Sequence, residues 1–274
     1  NNKFSDTEYE KEKKVVEDEI VNALNKKRYK HLNNNMRNFI RDIYGVVNER
    51  DKIYCEKTND YIKPDIVVKI KNRTRYVSIK SGRASIMHDE IIKNVILFFR
   101  ELGVSEYSQK LLLFYQYGDG TLDGSGKYRR DYHETYTWLE SGIKKFNEEM
   151  NLDHTLVEKI IERVMFQGVN NEAPRADYIY QGDLSYGIVV SREQILKHLR
   201  NKTFNFYENV HIGPLLVRPH ARYAKTVVKN EKLRNRIEFY WPNFHEDMVY
   251  IHKRYNKTFR NDWLNWQNIL HNDK

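Results

Sequence analysis

Apolar residues along the chain alternate between two periods, and the changes of period predict its elements. Val16, Ile20, Ala23 and Leu24 recur at helical spacing, predicting a helix over residues 6–30 with Ser5 or Asp6 as its cap. Leu32, Met36, Phe39, Ile40 and Ile43 form a second stripe that stops near Gly45. The period then shortens. IYCE (53–56) and YIKPDIVVKI (61–70) read as strands, KNRT (71–74) as a turn, and RYVSIK (75–80) as a returning strand. Tyr76, Ser78 and Lys80 fall on one face of it and Val77 and Ile79 on the other. A helix is predicted from Ser85 to Leu102, and KLLLFYQY (110–117), continuously apolar, reads as a buried strand. Beyond a Gly-rich loop at 118–130 the pattern gives helices at 133–150 and 154–167, a hairpin at 178–190, and a helix at 192–202 opened by the Ser191/Gln194 capping pair. Late strands at GPLLVRP and RIEFYW follow, then an aromatic, helical end over 245–271.

The expected fold is α/β (α+β): a central mixed sheet flanked by helices, with additional C-terminal α/β elements. Two segments are expected, a core over 1–130 and an extension over 131–274, with no linker that forbids a single continuous domain. No apolar run approaches the roughly 20 residues of a membrane helix, and residues 1–14 lack the apolar core of a secretion signal. The single cysteine, Cys55, allows neither an internal disulfide nor a cysteine-based zinc site, so a cytoplasmic, reducing environment is expected.

Charge adds a direction. The chain carries a net +9, and residues 181–274 hold 16 Lys/Arg against 9 Asp/Glu. A basic excess gathered in one third of a chain suits a polyanion-binding face. Its expected DNA contacts are Arg192, Lys197, Arg200, Arg218 and Arg222, joined by Lys127, Arg129 and Arg130 of the Gly-rich loop.

The chemistry centres on PDIVVKIKNRTRYVSIK. Asp65 opens one strand of the predicted hairpin and Lys80 closes the other, so both side chains meet at one sheet edge. A carboxylate there suits a hard divalent cation. A lysine beside it can orient a water and steady a charged phosphate. This arrangement resembles the PD-(D/E)xK nuclease superfamily, whose best-known members are restriction endonucleases, over roughly residues 6–117. Pro64 and Asp65 match the PD; Ser78, Ile79 and Lys80 occupy the (D/E)xK positions, with Ser78 where an acid is expected. Some restriction enzymes of the superfamily carry SxK and take the missing carboxylate from the following helix, which points to Glu90 here, with Asp89 second. The superfamily often adds an acid from its first helix: Glu19 is the choice, with Glu17 on the opposite flank of the apolar stripe.

The resemblance thus implies an endonuclease of restriction type that cuts double-stranded DNA with Mg²⁺, Mn²⁺ being able to substitute, and that works as a homodimer. Asp65, Ser78, Lys80 and Glu90 would form its catalytic set, and Asp65, Glu90 and Glu19 would hold the metal. Two alternatives stay open: a DNA-binding module whose site has decayed at Ser78, and a nuclease of repair or recombination.

Overall fold

In a computed structural model, residues 6–82, 85–204, 209–220 and 231–256 are described, without the side chains of 6–10, 231 and 232. Two compact units are built from interleaved stretches of chain. One takes residues up to Ala84, Met165–His198 and residues from Phe244 onward; the other takes Ser85–Val164 and Leu199–Asn243. Among the described residues no helix is long and apolar enough to cross a membrane.

The first unit holds a six-stranded mixed sheet. Its strands are β1 (Lys27–Arg28), β2 (Lys52–Lys57), β3 (Ile66–Ile70), β4 (Arg73–Lys80), β6 (Tyr178–Gly182) and β7 (Gly187–Ser191), in the spatial order β1-β2-β3-β4-β6-β7. All neighbours are antiparallel except β4 and β6, which run parallel. One face packs on helices α1 (Asp6–Leu24) and α2 (Asn34–Tyr44). Val16, Ile20 and Leu24 from α1 and Met36, Phe39, Ile40 and Ile43 from α2 meet Ile66, Val68, Val77 and Ile79 in one core. The Asn33 side chain caps α2 by accepting from the Met36 amide at 2.7 Å. Its far end turns at Gly45, with φ +75°.

The β6–β7 hairpin admits no side chain at its turn. Gly182 holds φ +145°, and a Cβ added at Gly187 would overlap the Tyr180 hydroxyl and come within 2.8 Å of its Cε2. That hydroxyl donates to the Asp183 carbonyl and accepts from the Asn35 amide at 2.8 Å, tying the hairpin to α2. Gly187→Ala is therefore expected to cost about 2–3 kcal/mol, because Tyr180 must leave its buried site to make room. Thermal denaturation of the variant measures it.

The second unit holds a four-stranded antiparallel sheet. β5 (Ile86–Ile91), β8 (His211–Ile212), β9 (Leu215–Pro219) and β10 (Arg236–Tyr240) lie in the order β5-β10-β9-β8. Around it stand α3 (Ile92–Glu101), α4 (Glu106–Tyr117), α5 (Tyr132–Leu152) and α6 (His154–Ile161), the last continued by a π-helical turn, Glu162–Gln167. The short helix α8 (Glu231–Arg234) precedes β10. Helix α7 (Arg192–Arg200) opens on the expected capping pair, the Ser191 hydroxyl accepting from the Gln194 amide at 3.1 Å and the Gln194 side chain accepting from the Ser191 amide at 2.9 Å. In the first unit, α9 (Phe244–Tyr255) packs along β7.

Three expectations are corrected. KLLLFYQY is not a strand but the body of α4, capped by Ser105, whose side chain accepts from Ser108, and by left-handed Gly118. The predicted helix from Ser85 begins only at Ile92; the residues before it pair with β10 as β5. The first helix ends at Leu24 rather than running to residue 30, and Lys26 takes φ +59° in the turn that follows.

Candidate active site

The β3–β4 hairpin pairs Ile66 with Val77, which places Asp65 across from Ser78. The Asp65 amide donates to the Val77 carbonyl at 2.9 Å. Its carboxylate Oδ2 accepts from the Ser78 hydroxyl at 3.1 Å and from the Ile79 amide at 2.6 Å. Side chains two apart on a strand share a face. Lys80 therefore stands on the same face as Ser78, buried, at the end of β4 opposite Gln181 of β6. Val77 and Ile79 turn the other way into the core. Asp65, Ser78 and Lys80 are thus brought to one corner of the sheet, with Ser78 spending its hydroxyl on orienting the aspartate.

Helix α1 completes this corner. Lys13 and Glu17, one turn apart, both reach it. Lys13 Nζ lies 2.8 Å from Asp65 Oδ1 and 3.6 Å from Glu17 Oε1. Lys57 Nζ, at the end of β2, lies 3.2 Å from Glu17 Oε2 and 3.0 Å from Asp18 Oδ1. Burial raises the pKa of Glu17 above the usual carboxylate range, and the neighbouring charge of Asp65 adds to it, while Lys13 and Lys57 pull the other way. Two carboxylates that repel each other, partly withdrawn from water and bridged by an ammonium, are an oxygen donor set suited to a small hard dication. Magnesium is commonly held by one or two carboxylates, with water and substrate phosphate completing the shell. Among the described residues, no group of three or more His, Cys, Asp or Glu side chains converges as a metal cage.

The other expected residues have different surroundings. Glu19 is exposed on α1, whereas Glu17 is buried and near enough to Asp65 for their charges to interact. Glu90 belongs to the second unit and sits on strand β5, 3% exposed, where the Arg163 guanidinium pairs with it and His88 Nε2 lies 2.8 Å from it. Burial by itself would raise its pKa, but His88 and Arg163 outweigh burial and hold it below the usual value. Asp89 accepts from Arg236 Nε at 2.9 Å.

The expected DNA contacts divide similarly. Lys127 is exposed. Arg129 and Arg130 are half-buried, in a loop folded around Asp119, whose carboxylate accepts from the amides of Thr121 and Gly126 at 2.9 Å. Burial and then the charge of Arg234 lower the Arg129 pKa to about 10. The Arg130 guanidinium lies 4.2 Å from the Trp138 ring centroid. Lys197 is exposed on α7 and lies 5.5 Å from the Tyr255 ring. Arg192 is half-buried at the start of the same helix, and Arg200 is exposed and paired with Glu158. Arg218 lies on β9, paired with Glu238 at 3.0 Å. Arg222 lies outside the described residues. Cys55 is fully packed, and burial drives its thiol pKa up to about 12, which leaves it inert at neutral pH.

Comparison with known proteins supports the architecture. No protein-family model matches the chain, and no curated protein matches its sequence. Among solved structures, it is similar to the restriction endonuclease MspI in complex with its cognate DNA. The TM-score is 0.51 at 10% sequence identity, over 86% of this chain and 91% of that one. The six-stranded mixed sheet flanked by helices is a restriction-endonuclease-like fold.

Proposed function

We propose that this protein is a divalent-metal-dependent DNA endonuclease of restriction type, with its active site at the Asp65–Ser78–Lys80 corner. The observation that carries this reading is the meeting of Asp65 with Ser78, Lys13 and Glu17 at one corner of the sheet, with Lys80 two residues beyond Ser78 on the same face of β4. The fold adds weight to it, since a similar solved structure is a restriction endonuclease bound to DNA.

Asp65 and Glu17 would hold the cation, which supplies charge neutralisation at the scissile phosphate. Glu17 replaces Glu90 and Glu19 in this assignment, because it is the carboxylate that shares Lys13 with Asp65. Ser78 and the Ile79 amide fix the aspartate's rotamer. Lys80, held on the same face, orients the attacking water and opposes the negative charge that builds on the phosphoryl oxygens. Lys13, which pairs with Asp65 and lies one helical turn from Glu17, would give up Asp65 to a bound cation.

Incubating the purified chain with supercoiled plasmid in Mg²⁺, and in parallel with chelator, tests the reading. Nicked and linear products are expected in Mg²⁺ or Mn²⁺ and none with chelator. Digested phage DNA should give discrete bands, as a sequence-specific enzyme would. DNA binding without cleavage in either metal would sink the nuclease and leave a binding module.

A further inference from the structure

The second unit carries a chain of charges that the cleavage chemistry does not use. The register of its sheet lines up Asp89 of β5, Glu238 of β10 and Arg218 of β9 side by side. His220 follows β9 two residues beyond Arg218, and its Nδ1 lies 3.0 Å from Glu238 and 3.1 Å from Asp89. Asp89 in turn holds Arg236, whose Nε lies 2.9 Å from Oδ1 and 3.0 Å from Oδ2. The order across the face is Arg236–Asp89–His220–Glu238–Arg218. The residues between them turn the opposite way, with Ile237, Phe239, Leu215 and Val217 in the core.

Two features mark this as more than mutual neutralisation. The two hydrogen bonds that His220 donates to Asp89 and Glu238 raise its pKa to about 10, so it is protonated at neutral pH and the five residues carry one net positive charge. Arg218 meets Glu238 through Nε, at 3.0 Å, and its guanidinium lies 4.4 Å from the Tyr240 ring centroid. A carboxylate on Nε and an aromatic ring against the plane fix an arginine's direction while its two terminal amino groups stay oriented as a fork. Such a fork matches an acceptor that offers two oxygens, or an oxygen and a nitrogen, side by side.

We propose that Arg218 is a preset two-toothed contact to duplex DNA that takes either a guanine edge in the major groove or a backbone phosphate, with Arg236, whose Nη2 donates to the Asp89 carbonyl at 3.1 Å, as a second cation at the other end. The proposal rests on the DNA-cleaving reading above and names the residues that would hold its substrate.

The test is binding to a random-sequence duplex pool, followed by sequencing of the retained fraction, for the full chain and for Arg218→Lys and Arg236→Lys. Lysine keeps the charge and removes the fork. Affinity for the retained sequences is expected to fall about tenfold or more for Arg218→Lys. If the fork reads guanine, a position in the retained sequence relaxes and the slope of log affinity against log salt is unchanged. If it grips phosphate, the sequence preference is unchanged, and Arg218→Gln, which also removes the charge, lowers the slope by about one unit. Wild-type affinity and preference in both variants would overturn the proposal alone; failure of the unsubstituted chain to bind duplex DNA would overturn it together with the nuclease reading. Should the variants not fold, phenylglyoxal modification of the unsubstituted chain, read by mass spectrometry, decides. DNA must protect Arg218, and equal labelling with and without DNA refutes the contact.

Discussion

Asp65→Asn should abolish Mg²⁺-dependent plasmid cleavage, with a loss of at least ~10³-fold in rate, while leaving the fold in place. Asparagine is nearly isosteric. Its side-chain oxygen can still accept from the Ser78 hydroxyl and the Ile79 amide, the two bonds that fix residue 65 at 3.1 and 2.6 Å. The charge that would hold the cation is lost, so the effect falls on chemistry rather than stability. Lys80→Met should lose about 10²–10³-fold, the range for removing one preset positive donor from a phosphoryl transition state. Glu17→Gln should fall less, about 10–100-fold, because one carboxylate remains. Single-turnover cleavage rates, with circular dichroism on each variant, measure the set. A folded Asp65→Asn that cuts at the wild-type rate would remove this corner of the sheet from the mechanism.

The part of the site that could be read from sequence is the part made by local chain geometry. Asp65, Ser78 and Lys80 sit on one hairpin. Alternation fixes which side chains share a face, and the tight turn at Lys71 and Asn72, shorter than the expected 71–74, fixes which residues oppose each other. Glu17 was not legible in that way. At about 100° per residue, Glu17 and Glu19 flank the Val16/Ile20 stripe on opposite sides, and both flanks look alike along the helix. The proposed choice of Glu17 comes from the sheet, since Asp65 and Lys57 of β2 lie on the Glu17 side. The periodicity of the helix stripe contains no record of that.

The misread elements have a similar cause. KLLLFYQY is a short apolar run, and such runs fit a buried helix as well as a buried strand. Its caps were the better guide, since Ser105 and Gly118 bracket 12 helical residues, too many for a typical strand. At IMHDEI the helical stripe of α3 extends backward into residues that are a strand only because β10, 147 positions away at the Asp89–Arg236 contact, comes to pair with them. That long-range pairing changes the meaning of Glu90. As a helix residue it is a carboxylate available to a metal site; as a strand residue on the packed face it needs a cation of its own, and Arg163 is that cation.

Arg163→Met should therefore destabilise the protein by about 3–5 kcal/mol, the cost of leaving one charge of a buried pair without its partner. Glu90 is 3% exposed and Arg163 9%, so water cannot replace the lost guanidinium. His88 Nε2, at 2.8 Å, would remain as a hydrogen-bond partner of the carboxylate. Methionine still covers Phe98, against whose ring centroid the Arg163 guanidinium lies at 4.5 Å, so packing loss is the smaller share. The double variant Glu90→Leu/Arg163→Met should recover most of that loss, because apolar partners of similar size need no desolvated charge. Denaturant unfolding of the two single variants and the double gives the coupling. Glu90→Gln carries a further distinction. If Glu90 belongs to this ion pair, the variant is destabilised yet binds Mn²⁺ as the parent does. A variant of unchanged stability that no longer binds Mn²⁺ would return Glu90 to the metal site and displace Glu17 from it.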